Sequence, residues 1–255
     1  MINIVVFIPC YNCKDQAKRV ITGVNKILNN PIGRSISEVW VVDNLSPDGT
    51  YATIQNFIQD ENISDKVKAF QNSVNMGLGG SFKKWFITAK DAGYSHFVVL
   101  HGDDQADTSD LVEMLSSSTK DNTPDAVLGA RFMKTSKLQN YSKIRTAANV
   151  LLNILLSLLS GHKIYDLGSG LNIYRVSSFS KEFLEKLPSH IAFDLHVLFY
   201  LIDNSLYFKF LPISWKSADE RSTINQWQIG FLLLSEILKW KLKWLCRWPA
   251  SARDS

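Results

Sequence analysis

Short apolar segments rich in β-branched residues alternate with segments of helical periodicity through the first half of the chain. The apolar runs are predicted to be buried strands at residues 2–8, 39–42, 67–70, 97–100 and 126–128. Helical spacing of apolar residues follows the first four runs at residues 17–28, 51–58, 81–92 and 109–115. This alternation predicts a doubly wound α/β layer, with a mostly parallel sheet and helices on both faces.

The alternation stops near residue 131. A polar loop at 134–143 and a long helix at 144–159 are predicted next, followed by strands at 171–174 and 206–213 around a helix at 193–202. We therefore expect one domain over residues 1–225, with an α/β half at 1–130 and an α+β half at 131–225 that completes a pocket. Residues 226–255 are predicted to form a separate amphipathic segment.

The composition limits the class of protein. Of the 255 residues, 45% are hydrophobic and 20% charged, which excludes a disordered chain. A net charge of +4 is too weak by itself to indicate nucleic-acid binding, and three cysteines favour a reducing compartment. The start lacks the features of a secretory signal, and the apolar run at 150–159 is shorter than the about 20 residues that span a bilayer. We expect a cytoplasmic chain that can still lie on a membrane.

The segment from His101 to Asp107 holds three carboxylates and an amide directly after a strand. Like charges this close repel each other unless a cation lies among them, and hard oxygen ligands suit Mg²⁺ or Mn²⁺ carrying a phosphate. The alternative is a solvated loop in which Asp107 or Thr108 caps the next helix. A second polar cluster, Asp43 to Thr50, is either a turn with a helix cap or a strand-end carboxylate that accepts hydrogen bonds from a base or ribose.

Three further patterns are less specific. The glycines after Asn75 have the wrong spacing and place for a dinucleotide fingerprint, although such a turn can approach a pyrophosphate. Cys10 and Cys13 lack a second pair or a nearby histidine, so ordinary thiols are favoured over a zinc site. Arg131 and Arg145 are either phosphate clamps or surface arginines.

Five segments together resemble glycosyltransferase family 2, the inverting enzymes of the GT-A fold, and in particular dolichyl-phosphate mannose synthase and its bacterial polyprenyl-phosphate relatives. They are FIPCYN at 7–12, VVDNLSPDGT at 41–50, NMGLGGS at 75–81, GARF at 129–132 and DLGSGLNIYR at 166–175. The resemblance covers roughly residues 3–225. It implies transfer of a sugar from a nucleotide-sugar donor to a saccharide or lipid-linked acceptor in cell-surface glycan synthesis.

The resemblance also implies residue roles. The nucleotide sugar would contact Pro9, Tyr11, Asn12, Asp43, Ser46, Asn75, Gly79, Asp103 and Asp104. A Mn²⁺ or Mg²⁺ ion would be held by Asp103, Gln105 and His101. The catalytic groups would be Arg131, Arg145 and Asp194, and the acceptor region would include Asp166, Ser169, Gly170 and Arg221. His101 replaces the first Asp of the metal motif, which favours Mn²⁺, and Asp104 is expected to compensate.

Other functions remain open. A polyprenyl-phosphate monosaccharide synthase is one, but residues 217–223 lack the Gly and Lys of such relatives, which favours a saccharide acceptor. An ionised phosphate would need no base, whereas a hydroxyl acceptor would need Asp194, which is otherwise a helix N-cap. A nucleotidyltransferase would normally have a Gly-rich basic loop after Ile8, where this chain has none. A non-catalytic nucleotide-sugar binding protein is suggested by His101.

Tryptophans at 240, 244 and 248 recur every four residues in the C-terminal segment. On a helix they share a face with Ile237, Leu238, Leu242 and Leu245, beside Lys239, Lys241, Lys243 and Arg247. An apolar face with a basic flank predicts a helix lying on the inner face of the cell membrane. The alternative is a helix that packs on the domain or on another subunit.

Overall fold

The predicted α/β architecture is confirmed. The computed structural model describes residues 2–119, 123–217 and 226–247. Seven strands form one sheet in the order β3-β2-β1-β4-β7-β5-β8. Strands β1 to β4 are parallel, and β7 runs antiparallel to both of its neighbours. Because β7 comes from the second half of the chain, the two halves share one sheet.

The strands and helices lie close to the predicted positions. The strands of the main sheet are β1 Ile4–Cys10, β2 Ile36–Asp43, β3 Val67–Gln71, β4 His96–Leu100, β5 Ala126–Ala130, β7 Leu171–Arg175 and β8 Phe208–Pro212. The helices are α1 Lys14–Leu28, α2 Thr50–Asp60, α3 Gly77–Asp91, α4 Asp110–Ser118, α5 Lys143–Ser160, α6 Lys181–Glu185, α7 Phe193–Asp203 and α8 Gln226–Arg247. The short helix α6 was not predicted.

Side chains of β1 alternate between two apolar cores, as the period of a strand requires. Ile4, Val6 and Ile8 pack with α1, α2 and α4 on one face of the sheet. Val5 and Phe7 pack with α3, α5, α7 and α8 on the other. All seven residues of β1 are buried, which explains its continuous apolar sequence.

The segment predicted to be an irregular polar loop contains the short strand β6 Lys137–Gln139, which pairs in parallel with β9 Ser214–Lys216. Such three-residue strands carry no periodic signal of their own. Strand β9 also holds the loop after β4, because Asp107 N donates to Ser214 O and Lys216 N donates to Gln105 O. The pairing therefore joins the second half of the chain to the 101–107 loop.

Helix α8 packs on the domain through part of the side that was predicted to face a membrane. Ile237 and Trp240 are buried, and the Trp240 ring stacks on Phe199 with centroids 4.7 Å apart. Trp240 Nε1 also donates to Asp203 Oδ1 at 3.0 Å. The prediction that Trp240 and Ile237 face a membrane is therefore wrong, because the Trp240 ring and the Ile237 side chain complete the core. Trp248 lies outside the described residues.

Helix α5 is longer than the apolar run seen in the sequence. Its 18 residues, Lys143–Ser160, are long and apolar enough to cross a membrane by length and composition alone, and only 11% of the segment is buried. The expectation that this run is too short is corrected, because helical residues extend the segment on its N-terminal side.

Candidate active site

A cleft of about 360 Å³ opens at the carboxyl ends of β1, β2 and β4. This edge is where open α/β sheets bind ligands, because their loops converge there. Of the residues predicted to bind the nucleotide sugar or metal, the cleft is lined by Pro9, Tyr11, Asn75, His101 and Asp103. The structure thus brings together residues that are up to 94 positions apart in the sequence.

Asp43 is the last residue of β2 and is fully buried. Its carboxylate accepts hydrogen bonds from the amide and hydroxyl of Ser46 and from Gln71 Nε2, the last at 2.9 Å. Ser46 Oγ in turn accepts from Asn12 N at 2.9 Å, so Asp43 holds together the loops after β1 and β2. The nucleoside contacts of these three residues stay predictions.

Asn44 lines the cleft but was overlooked in the sequence. Its Nδ2 donates to Asn75 Oδ1 at 2.8 Å, and its Oδ1 accepts from Asn72 Nδ2 and from the amide of Met76. These bonds fix the turn that leads into α3. The only signal in the sequence was an amide residue directly after a buried strand.

Gly79 allows close packing at the start of α3. Its amide and that of Gly80 donate to Ser189 O, and a Cβ at position 79 would lie 2.2 Å from Pro188 O. The glycines therefore allow the 188–190 loop to approach the helix end. Contact between Gly79 and a nucleotide stays a prediction.

The three carboxylates of the acidic loop, residues 101–107, have different surroundings. Asp103 faces the cleft, and its Oδ1 accepts from the amide of Gln105 at 3.2 Å. Asp104 has a left-handed backbone, with φ of 58°, and its Oδ2 binds Arg19 Nε at 2.6 Å and Lys216 Nζ at 2.7 Å. Asp104 therefore bridges α1 and β9. Asp107 Oδ1 accepts from the amide and hydroxyl of Ser109. Ser109 is the N-cap residue of α4, so the alternative that Asp107 or Thr108 caps this helix is wrong.

The imidazole of His101 lies against Gly170. A Cβ at position 170 would be only 2.8 Å from His101 Cγ and Nδ1, and the amide of His101 donates to Gly170 O at 2.8 Å. Burial lowers the pKa of His101 below its usual value, although the nearby Asp103 opposes the shift. The side chain is therefore neutral at pH 7.

Arg131 forms a buried, bidentate ion pair with Asp166. The two carboxylate oxygens accept from Arg131 Nε and Nη2 at 2.8 Å each, and Nη2 also donates to Gly168 O. The guanidinium lies 5.1 Å from the ring centroid of Trp215. The predicted catalytic arginine and acceptor-region aspartate thus bind each other, and phosphate binding by Arg131 stays a prediction.

Arg145 lies at the start of α5, with its guanidinium 4.9 Å from the ring centroid of Tyr141. Its Nε is buried and has no hydrogen-bond partner within the described parts of the chain. Arg145 therefore has a buried donor without a partner among the described residues, whereas Nε and Nη2 of Arg131 are committed to Asp166 and Gly168.

Asp194 lies in the first turn of α7, packed against the loop from Asp166 to Gly170. A Cβ at Gly168 would lie 2.9 Å from Asp194 Oδ2. Burial raises the pKa of Asp194 well above its usual value, and the charge of Asp166 raises it further, while Arg131 opposes the shift. The helix begins at Phe193 after Ala192, so the alternative of Asp194 as N-cap is wrong.

The remaining predicted residues differ in what the structure shows. Ser169 is buried, and its hydroxyl donates to Leu171 O. Arg221 lies outside the described residues. Cys10 and Cys13 are free thiols that line the cleft, and a hydrogen bond with Cys13, together with burial, raises the pKa of Cys10.

The sequence model of glycosyl transferase family 2 matches residues 5–183. The chain belongs to glycosyl transferase family 2. The match includes the cleft, the acidic loop and the Asp166–Gly170 loop, and it makes the chain a glycosyltransferase. The helices α7 and α8 lie beyond it.

Two relatives of known function are similar to this glycosyltransferase. UDP-N-acetylglucosamine–dolichyl-phosphate N-acetylglucosaminyltransferase of Methanococcus voltae is 24% identical over 197 residues, which are 74% of this chain and 73% of the relative. Undecaprenyl-phosphate mannosyltransferase of Micrococcus luteus is 24% identical over 153 residues, 60% of each chain.

Solved structures share the fold. Glucosyl-3-phosphoglycerate synthase of Mycobacterium tuberculosis, in complex with Mn²⁺, UDP and glucosyl-3-phosphoglycerate, superposes with a TM-score of 0.66 at 12% identity, covering 93% of this chain and 79% of the other. A mannosyltransferase of Pyrobaculum calidifontis, in complex with GDP-mannose and Mn²⁺, has a TM-score of 0.60 at 15% identity, covering 97% and 65%. At these identities the likeness shows the fold.

Proposed function

We propose that the enzyme transfers a sugar, with inversion at its C1 atom, from a nucleoside-diphosphate sugar to a polyprenyl phosphate. The observation that carries the proposal is the cleft at the ends of β1, β2 and β4, with Tyr11, Asn44 and Asn75 near Asp103 and His101. Apolar and amide groups suit a nucleoside, whereas the Asp103 side suits a diphosphate carrying a cation. The complexes of the two structural neighbours with UDP or GDP-mannose are consistent with this use of the cleft.

The residues fit a divalent ion that arrives with the diphosphate. No group of three or more His, Cys, Asp or Glu side chains among the described residues is arranged to hold a metal by itself. One or two carboxylates together with substrate phosphates are, however, the usual set for such an ion. Asp103 would hold it, with Gln105 and the neutral His101 as further donors, and both neighbours contain Mn²⁺. When bound, the ion would stabilise the negative charge of the leaving diphosphate.

The reaction needs little proton transfer with a phosphate acceptor. An acceptor oxygen attacks C1 from the face opposite the diphosphate, and the bond from C1 to the diphosphate oxygen breaks with its electron pair leaving on the diphosphate. The acceptor is already ionised at pH 7, so no base is required. The uncommitted donor of Arg145 can bind one of the two phosphate groups and neutralise charge in the transition state.

Two observations support the polyprenyl phosphate. The two relatives are named for dolichyl phosphate and undecaprenyl phosphate. In addition, Arg145 lies in the first turn of a helix whose outer face is apolar, with Ile144 74% and Leu151 66% exposed. A lipid phosphate has this combination of an anionic head and an apolar tail. Such an acceptor would place the enzyme at the inner face of a membrane.

A saccharide hydroxyl is the second candidate acceptor, and Asp194 favours it. The Asp194 side chain is half-buried, and its pKa is raised, mainly by desolvation. Within the described ranges it has no hydrogen-bond partner. A carboxyl in this environment can act as a general base if an acceptor hydroxyl comes within reach.

The test measures release of nucleoside diphosphate from a panel of UDP- and GDP-sugars with Mn²⁺ or Mg²⁺. Each donor is assayed with a polyprenyl phosphate, with a saccharide and without acceptor. Release that requires the polyprenyl phosphate, together with a sugar-phosphate-lipid product, is expected. Release that requires the saccharide instead would establish the second candidate.

Two results would contradict transfer altogether. Binding of a nucleotide sugar without release under any condition would indicate a binding protein. Release of pyrophosphate from a nucleoside triphosphate and a sugar phosphate would indicate a nucleotidyltransferase.

A further inference from the structure

Helix α5 has the reverse of the usual arrangement of polar and apolar side chains. After Lys143, its exposed residues are all apolar and include Ile144, Leu151, Ile154 and Leu158, which are 51–78% exposed. They recur at intervals of three, four and seven residues, so they form one strip along the helix. In the helix of an ordinary water-soluble domain this strip would face the core.

The polar side chains of α5 face the protein instead. Asn153 is buried, and its Nδ2 donates to Tyr165 O at 2.7 Å. Ser157 Oγ accepts from the amide of Ile164 at 3.0 Å, one helical turn further along. These bonds hold the polar face against the 164–165 segment, so the helix cannot rotate its apolar strip inward without breaking them.

Helix α8 adds a second exposed apolar strip next to the first. Phe231, Leu238 and Leu242 are 71%, 48% and 62% exposed. Lys241 Nζ donates to Leu159 O at 2.7 Å, so the C-terminal parts of the two helices meet. On α8, Lys241 lies on the flank between the buried Ile237 and this exposed strip, because residues follow each other at about 100° around a helix. The two strips therefore lie side by side.

Basic residues border this surface. Lys143, the first residue of α5, and Lys163, which follows the end of α5, are exposed, as are Lys239 and Lys243 on α8. Helix α5 contains no acidic residue, and the single one on α8, Glu236, is paired with Lys239 and His196. The strips are made of Leu, Ile, Ala and Phe beside Lys. Lysine is depleted at protein–protein interfaces but favoured beside the apolar face of helices that lie on anionic lipid.

We propose that the outer strips of α5 and α8, defined by Ile144, Leu151, Ile154, Leu158, Phe231, Leu238 and Leu242, dock the enzyme on an anionic lipid bilayer. Helix α5 lies in the interface, parallel to the membrane, with its apolar strip among the acyl chains. It does not span, because its polar side faces and bonds to the 164–165 segment. The proposal depends on the two helices alone and would hold for either acceptor.

The test is co-sedimentation of the full-length enzyme with vesicles of phosphatidylcholine, with and without phosphatidylglycerol. We expect binding to the anionic vesicles that weakens at high salt, since exposed charges are screened. The double variant Leu151→Ser and Leu158→Ser should bind at least about tenfold more weakly, because two leucines lose contact with lipid. Its fold should be intact, since both side chains are exposed, and thermal unfolding checks this.

A matched control removes exposed apolar side chains elsewhere. Ile2 and Tyr207 are 42% and 50% exposed and lie outside both helices. The double variant Ile2→Ser and Tyr207→Ser should bind vesicles like the unchanged enzyme. Equal binding by the α5 variant and this control would overturn the proposal, as would no binding by the unchanged enzyme.

If a second copy of the chain covers this surface, or if α5 spans the bilayer, the results differ. If light scattering shows a dimer that the α5 variant abolishes, and no vesicles are bound, the surface is an interface between two copies and the proposal is wrong. If alkaline carbonate fails to release the vesicle-bound enzyme, α5 spans the bilayer and the interfacial placement is wrong. Sugar transfer is measured separately, so failure of docking and failure of the proposed reaction are distinguishable.

Discussion

The His101 imidazole and the Gly170 backbone are in direct contact, with no room for a side chain at position 170. Two residues earlier, Gly168 leaves room for Asp194 in the same way, and Asp166 binds Arg131. Asp166, Gly168 and Gly170 are alternate residues of one loop, and they position the side chains of Arg131, Asp194 and His101. These side chains come from the end of β5, from α7 and from the loop after β4. The loop therefore joins the cleft wall at His101 to α7 and to the Arg131–Asp166 ion pair.

Replacing Gly170 with alanine should disturb the donor site through His101. The new Cβ would lie 2.8 Å from the ring, so the imidazole must move. We expect kcat/KM for the nucleotide sugar to fall by about tenfold or more, as small displacements in active sites do. In a His101→Ala background the same change should cost less, because the ring is gone and only the Cβ of residue 101, 3.1 Å from the new methyl group, remains.

Gly230→Ala is the control for the glycine prediction. This glycine lies in α8, and a methyl group added to its Cα atom would point into open space. The variant should be fully active and slightly more stable, by up to about 1 kcal/mol from helix propensity. An equal loss of activity in the two glycine variants would show that the 170 effect is not specific to His101.

Asp103→Asn should lower kcat by about 10³-fold or more if Asp103 holds a divalent ion that stabilises the leaving diphosphate. The amide has the same size but lacks the charge. Asp107→Asn provides the comparison within the same loop, because Asp107 is exposed and bonds only Ser109 among the described side chains. Steady-state assays across a Mn²⁺ series measure both, and normal turnover of Asp103→Asn would exclude this role.

Alanine variants of Arg131 and Arg145 should differ in stability and in activity. Arg131→Ala leaves Asp166 buried without its partner and should lower the free energy of unfolding by about 3–5 kcal/mol. Arg145→Ala removes a donor that lacks a partner among the described residues and should change stability by less than about 1 kcal/mol, while lowering kcat/KM strongly. Denaturant unfolding and initial rates test this, and normal activity of Arg145→Ala would remove it from the site.

Asp194→Asn should stabilise the protein at neutral pH. Because the pKa of Asp194 is raised in the folded state, stability is lost as the pH rises from the unfolded-state value towards the folded-state pKa, where the charge must form in a desolvated position. The amide avoids this cost of about 1.4 kcal/mol for each pKa unit. The gain should be absent near pH 4 and appear above it in thermal unfolding curves.

Asp194→Asn also distinguishes a polyprenyl-phosphate acceptor from a saccharide acceptor. With a polyprenyl phosphate we expect near-normal turnover, because no base is used. A saccharide acceptor predicts a loss of about 10²–10⁴-fold. Asp203→Asn, at the exposed end of the same helix, should leave both stability and turnover unchanged, since the amide oxygen can still accept from Trp240.

The amino-acid sequence by itself determined the α/β order of elements, the strand-end position of the acidic loop and membership of the glycosyltransferase family. These features depend on local periodicity and on short motifs, which act within a few residues of each other. Positions of strands such as β1 were therefore predicted to within two residues, whereas the three-residue strands β6 and β9 were missed.

Only the tertiary structure decided which charged groups meet. Arg131 and Asp166 are 35 residues apart, and Asp104 and Arg19 are 85 apart. The sequence therefore offered Arg131, Asp166 and Asp104 as free ligands, and the fold gave each of them a protein partner. Likewise, the sequence showed that the segments of α5 and α8 are rich in apolar residues, but not which way these residues face. Packing turned Trp240 inward and left Leu151 outside, because Asn153 and Ser157 bind the 164–165 segment.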